Sequence, residues 1–140
     1  GVDQFYLSKA KEDTKELLFL ESVESQLNLI SDMGKGNENN FVKKSLKDFE
    51  DTKEGMSKMV ANWRTGDSKL MITQIKEMKS DFPKLHKSLL VNRNNNWMPI
   101  IDTYLATEKI EFVLMGALHL YGDSGILTQL QKKGYTIERL

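Results

Sequence analysis

From residue 41 to residue 63 the apolar side chains recur at helical spacing. Val42, Leu46, Phe49, Met56, Val60 and Trp63 fall on one stripe, interrupted by Lys53, with Lys, Asp and Glu on the other face. That period predicts a long amphipathic helix, ended at Gly66-Asp67. A second helix follows, with Leu70, Met71, Ile75 and Met78 turned inward. Asp81-Phe82-Pro83 reads as a turn, and Pro83 suits the first position of a new helix, where its missing N–H costs nothing. Leu85, Leu89 and Leu90 carry that helix toward Asn92-Arg93-Asn94. Pro99 either kinks it or starts a separate segment bearing Ile100, Ile101, Tyr104 and Leu105.

The two ends of the chain read differently. Residues 1–13 predict a short helix around Phe5, Tyr6, Leu7 and Ala10. Leu17-Leu18-Phe19-Leu20 is an apolar run bounded by charge, as in a buried parallel strand. Ser22 is placed to cap a helix that buries Val23, Leu27 and Ile30, before Gly34 and Gly36 break the pattern. Ile110-Glu111-Phe112-Val113-Leu114-Met115 is strand-like, closed by Gly116. Asp123-Ser124 is placed to cap a short helix burying Ile126, Leu127 and Leu130, with Gly134 at its end. Residues 135–139 alternate as a strand does. The expected architecture is one α/β domain: a small, mostly parallel sheet of about three strands under a larger helical share, closed by a right-handed βαβ unit.

Composition narrows the function classes. The 20 basic residues balance the 20 acidic ones, which sets low priors on nucleic-acid binding and polybasic membrane docking. Cysteine is absent, so disulfides, thiolate catalysis and Cys-type zinc sites are excluded together. No apolar run approaches the roughly 18 residues that a membrane span needs. No phosphate-binding glycine loop, Walker pattern or nucleophile elbow is present.

The remaining chemistry rests on few side chains. The chain has two histidines. His86, between Lys84 and Lys87, reads as a solvent-facing helix residue. His119 lies just past the expected strand 110–115, where open α/β sheets bind ligands; Gly116 allows close backbone approach and Gly122 a tight return. It suits a metal ligand or proton relay, or a structural histidine bonded to a backbone carbonyl. Glu21 closes the first apolar run and Glu24 follows one helical turn later. With parallel neighbouring strands, Glu21 and His119 share a rim. Mixed His/carboxylate sets suit Zn²⁺, Mn²⁺, Co²⁺ or Fe²⁺, and a carboxylate also serves as general base. The plainer alternative is that first-turn acids complement a helix dipole. Arg93, among Asn92, Asn94, Asn95 and Asn96, either grips a carboxylate bidentately or lies in an exposed polar turn. Trp63, Trp97 and most of the seven methionines read as core.

Several of these residues also carry a family resemblance. Leu20-Glu21-Ser22-Val23-Glu24-Ser25-Gln26 resembles the "LE-x-x-E-x-Q" segment of the TraB/GumN family, which includes PrgY-like and Tiki-like proteins. Asn92-Arg93-Asn94 with Trp97-Met98 resembles its "RN…W/M" helix. Gly116-Ala117-Leu118-His119-Leu120, Gly122, Gly125, Leu130 and Gly134-Tyr135 resemble its closing "GA-x-HL-x-G…G…L…GY" signature. The order and spacing agree across the whole chain.

The resemblance implies an α/β domain with two Gly-x-x-His motifs and a pair of glutamates, metal-dependent and peptidase-like in Tiki-like members. Gly116 and His119 match the second motif; the first has no counterpart, and neither His86 nor any upstream Gly supplies it. The chain therefore reads as the C-terminal portion of a larger α/β domain, with half the metal shell missing, inactive by itself, and with an unpaired sheet edge that invites homodimerisation. In the intact protein His119, with Glu21, would ligate a divalent metal (Mn, Co or Zn). Glu21 or Glu24 would act as base on its water, and Arg93 would hold a substrate carboxylate; Asn94, Gly116 and Gly122 support the motifs. The expected partner is a peptide or small-molecule substrate, with neither nucleic acid nor a membrane span. The alternative is a PrgY-type module that binds or sequesters a peptide without cutting it. A helical interaction surface is a third reading, conditional on exposure of the 41–63 stripe. An extracytoplasmic location is preferred, since many bacterial relatives are exported or membrane-anchored.

Overall fold

In the computed structural model the described residues, 1–33, 35–50 and 52–139, form helices joined by irregular segments. Gly34, expected to break a helix, lies outside them. The helices are α1 (Val2–Glu12), α2 (Val23–Ser31), α3 (Glu38–Glu50), α4 (Thr52–Thr65), α5 (Lys69–Asp81), α6 (Pro83–His86), α7 (Asn92–Leu105) and α8 (Ile126–Lys132). A π-helical segment, Lys87–Val91, joins α6 to α7, and a 3₁₀ turn, Ala117–His119, precedes α8.

The sheet expected from the sequence is not there. Among the described residues none is in a strand, so the α/β architecture, its three strands and its βαβ unit are corrected to an all-helical arrangement. Residues 15–19, 110–115 and 135–139 lack regular structure. A strand is held by the ladder to its neighbour, and an apolar, β-branched run without a neighbour has only a context-dependent propensity. Phe19 is 76% exposed and Ile110 100% exposed, so these runs are not the buried strands expected. The Phe112 ring instead meets Tyr6 of α1 at 4.9 Å between centroids. A homodimer through an unpaired sheet edge loses the edge on which it rested.

The helical expectations fare better, and local chemistry explains why. Ser22 caps α2 by accepting from the Ser25 N–H at 3.1 Å, which satisfies one of the orphan donors of the first turn. Pro83 occupies the first turn of α6. Gly36, Gly66 and Gly134 all have positive φ, as the chain reversals there require. Pro99 lies within α7, which is continuous from Asn92 to Leu105 and neither stops nor restarts there. The cap of α8 is Gly125 rather than Asp123 or Ser124.

Burial is concentrated in the second half of the chain. Trp97, Met98, Ile101 and Ile126 form the core, with Leu20, Met115 and Leu130 packed against it. Met71 and Ile75 of α5 are buried, as their spacing predicts. His86 is buried too, contrary to the solvent-facing expectation. Val23, Leu27 and Ile30 of α2 are exposed rather than buried, and Val42, Leu46, Phe49, Met56, Val60 and Trp63 present the whole stripe of α3 and α4 to solvent. Asp51 and the side chain of Lys53 lie outside the described residues.

Two packing facts position the site. Leu20 ends the first apolar run and Met115 ends the second, and both are half-buried against the same core as Trp97. The residue after Leu20 is Glu21, and Gly116 followed by the Ala117–His119 turn comes straight after Met115. Anchoring the two runs at their ends therefore delivers Glu21 and His119 to one side of α7, without any sheet.

Candidate functional site

Arg93 is the centre of the cluster. It lies in the first turn of α7, straight after the π-helical segment, and its Nη1 donates to the Leu89 carbonyl in that segment at 3.3 Å. Single π turns recur at functional sites because the extra residue per turn re-aims the side chains beyond it. From there Nε donates to Glu21 Oε2 at 3.0 Å and Nη2 to Oε1 at 2.6 Å. This is the bidentate fork for which arginine geometry is suited. The pair is mostly buried, the Arg93 side chain being 22% and the Glu21 side chain 14% exposed.

The same guanidinium reaches His119. Nη1 lies 3.1 Å from Nε2 of the imidazole. A guanidinium only donates, so Nε2 accepts and carries no proton. The other ring nitrogen, Nδ1, is 2.6 Å from Asn94 Oδ1 and donates to it. Asn94 Nδ2 donates to the carbonyls of His119, at 3.1 Å, and Ser124, at 2.8 Å.

Trp97, one turn after Arg93, completes the enclosure. Its Nε1 donates to Glu21 Oε2 at 3.3 Å. The Arg93 guanidinium stacks 4.7 Å from the Trp97 ring centroid, and the His119 ring lies 4.4 Å from the same indole on centroids. An i,i+4 pair on one helix face makes the Arg–Trp stack a local consequence of sequence.

The electrostatics follow from these contacts. Burial, and after it the Arg93 charge, push the His119 imidazole down to about 4, with Glu21 pulling weakly the other way. Near neutral pH the ring is therefore uncharged, which agrees with an acceptor at Nε2. Burial acts to raise the Glu21 carboxyl, but hydrogen bonds and charge from Arg93, helped by Trp97 and His119, hold it below its ordinary range.

The structure thus brings Glu21, Arg93, Asn94 and His119 together. Glu24 is exposed in the first turn of α2 and takes no part in these bonds. Gly116 accepts the His119 N–H at 2.9 Å and closes the turn. Gly122 has φ +85°, matching the tight return. Gly125 admits no side chain at all: a Cβ would lie 2.5 Å from the Leu120 carbonyl oxygen. Trp97 belongs both to the core and to the segment that resembles the family's "RN…W/M" helix, and its four-residue spacing from Arg93 is the sequence signal for the stack. The π-helical turn had no signal in the sequence.

A divalent ion needs several unencumbered donors, three protein ligands in a typical catalytic zinc site. Here the free lone pair of the imidazole and both carboxylate oxygens face one permanent cation. Among the described residues no group of three or more His, Asp or Glu gathers in metal-binding geometry. As they stand, these donors do not fit a metal ion. A surface hollow of about 380 Å³, lined by residues including Phe41, Phe82, Lys35 and Lys84, shares no residue with the cluster. No described helix is long and apolar enough to cross a membrane.

Comparison with known proteins agrees with the resemblance noted in the sequence. The model of the TraB/PrgY/gumN family matches residues 1–139. No curated protein and no solved structure matches the chain.

Proposed function

Because the chain belongs to the TraB/PrgY/gumN family, we propose that its Arg93 cluster is a recognition site for a peptide carboxylate, one that binds the peptide without cutting it. One observation carries this reading: the Arg93 guanidinium bridges Glu21 and His119, and so occupies the groups that a hydrolytic metal centre would need. An incoming carboxylate has the same fork geometry as Glu21 and exchanges with it on the Nε and Nη2 edge of Arg93. His119 keeps hold of Nη1, and the Trp97 indole keeps the guanidinium plane in place. The displaced Glu21 carboxylate is then free to accept an N–H from the bound peptide. The cost of unpairing Glu21 is offset only by a ligand that returns an equivalent anion, which is a source of specificity.

The test is a mixed peptide library offered to the chain with and without Mn²⁺, Co²⁺ or Zn²⁺, alongside Arg93→Ala and His119→Ala. Retention of carboxylate-bearing peptides without metal, without product, and lost in Arg93→Ala is the expected result. Metal-dependent cleavage that disappears in His119→Ala overturns it in favour of the peptidase-like hydrolase. Absence of retention under every condition overturns it as well.

A further inference from the structure

Asn94 is the most deeply buried large side chain of the described residues, at 1% exposure. Every hydrogen-bonding atom of its amide is engaged with the loop that carries His119. The two Nδ2 protons go to the carbonyls of His119 and Ser124, and Oδ1 meets the imidazole Nδ1. Two carbonyl oxygens on one side fix the amide orientation, because a flipped amide would set its own oxygen against both. Oδ1 is then left to face Nδ1 and nothing but a proton on Nδ1 satisfies that contact. On the far side of the ring, Arg93 supplies a donor and needs an acceptor. The two demands agree on one tautomer.

From this geometry we infer that Asn94 is the positioning residue of His119, holding the imidazole as its Nδ1–H tautomer and presenting the Nε2 lone pair to Arg93. Asn94 acts through the ring and touches no ligand itself. The consequence for the site is a chain of dependence: Asn94 sets the ring, the ring holds Nη1 of Arg93, and Arg93 is left with Nε and Nη2 for a carboxylate. This holds whether the site binds a peptide or cuts one. It therefore stands apart from the function proposed above.

Long-range ¹H–¹⁵N correlation of the imidazole near neutral pH tests it on the full chain, using wild type, Asn94→Leu and Asn94→Asp. The wild type is expected to show a protonated Nδ1 and a bare Nε2. Asn94→Leu keeps the branched shape, with somewhat more bulk, but accepts nothing, and is expected to lose that signature to tautomer averaging or to the Nε2–H form. Asn94→Asp restores an acceptor and is expected to keep Nδ1 protonated. A purely structural asparagine would affect folding in both variants and would not separate them by tautomer. An Nε2–H ring in the wild type overturns the inference, as does an unchanged signature in a folded Asn94→Leu. Should circular dichroism show Asn94→Leu unfolded, loss of the Nδ1 proton in Asn94→Asp overturns it instead.

Discussion

Nη1 of Arg93 donates to Nε2 of His119 at 3.1 Å while the other edge of the same guanidinium grips Glu21. One cation thus joins two groups from near opposite ends of the chain. It also explains why a conspicuous histidine is uncharged and a conspicuous glutamate is charged in the same enclosure.

Removing the guanidinium leaves Glu21 and His119 facing each other in a half-buried space without a counter-ion. Arg93→Ala is expected to destabilise the chain by about 2 kcal/mol, discounted from the cost of breaking a fully buried pair because both side chains keep some water. Arg93→Lys keeps the charge but not the fork and is expected to recover less than half of the loss. Urea unfolding of the three proteins checks both; an Arg93→Lys variant as stable as wild type would show that charge alone suffices.

Acid should loosen the chain through His119. Its folded value, about 4, lies below its ordinary 6.5, so the unfolded chain takes up the proton first as pH falls. The stabilising effect of the neutral ring is complete above about pH 6.5 and is lost progressively down to about pH 4, on the order of 3 kcal/mol in all. His86, also lowered by burial and by Lys79, adds loss of the same sign. Glu21, lowered by Arg93, keeps its stabilising effect until pH falls into the carboxylate range, so it acts later. Urea midpoints of wild type and His119→Gln between pH 7 and pH 4.5 separate these contributions. The wild-type slope should be the steeper, and equal slopes would remove His119 from the account.

Glycines of the closing motif should differ sharply. A Cβ on Gly125 would meet the Leu120 and Tyr121 backbone at 2.5 Å, and backbone cannot give way as a side-chain tip does. Gly125→Ala is expected to cost several kcal/mol or to prevent folding. A Cβ on Gly116 would lie 3.6 Å from the His119 ring, an ordinary contact, and Gly116 has φ −60°, open to any residue. Gly116→Ala should change stability by less than about 0.5 kcal/mol. Thermal unfolding of the pair reads the contrast directly.

The stripe on α3 and α4 meets the exposure condition set for an interaction surface. Leu46 is 62% exposed and Val60 40% exposed. Replacing both with Gln removes apolar surface that the fold does not bury, so stability should stay within about 0.5 kcal/mol of wild type. A larger loss in urea unfolding would mean that these side chains are covered in solution.

Much of the chain was legible without a structure, and the reason is locality. The Ser22 cap, Pro83 at a helix start, and the reversals at Gly36, Gly66, Gly122 and Gly134 depend on a few neighbouring residues and their backbone angles, which composition and spacing encode. The i,i+4 placement of Arg93 and Trp97 is of the same kind. Glu21, Arg93 and His119 were legible as candidates because acid, base and cation at motif positions have few other uses.

Tertiary structure decided the rest. Runs 17–20 and 110–115 have the composition of strands, yet a strand exists only by the ladder it shares, and no local pattern states whether a neighbour is there. Burial of His86 and exposure of Val23, Leu27 and Ile30 depend in the same way on which elements pack on them. Sequence named Glu21, Arg93 and His119 without stating how they meet; the fold sets Arg93 between the other two, because the π turn and the anchoring of Leu20 and Met115 on one core bring a guanidinium to the point where the two groups converge. Residue identity determined which groups were available to this site, and only packing, a sum over distant contacts, decided which of them met.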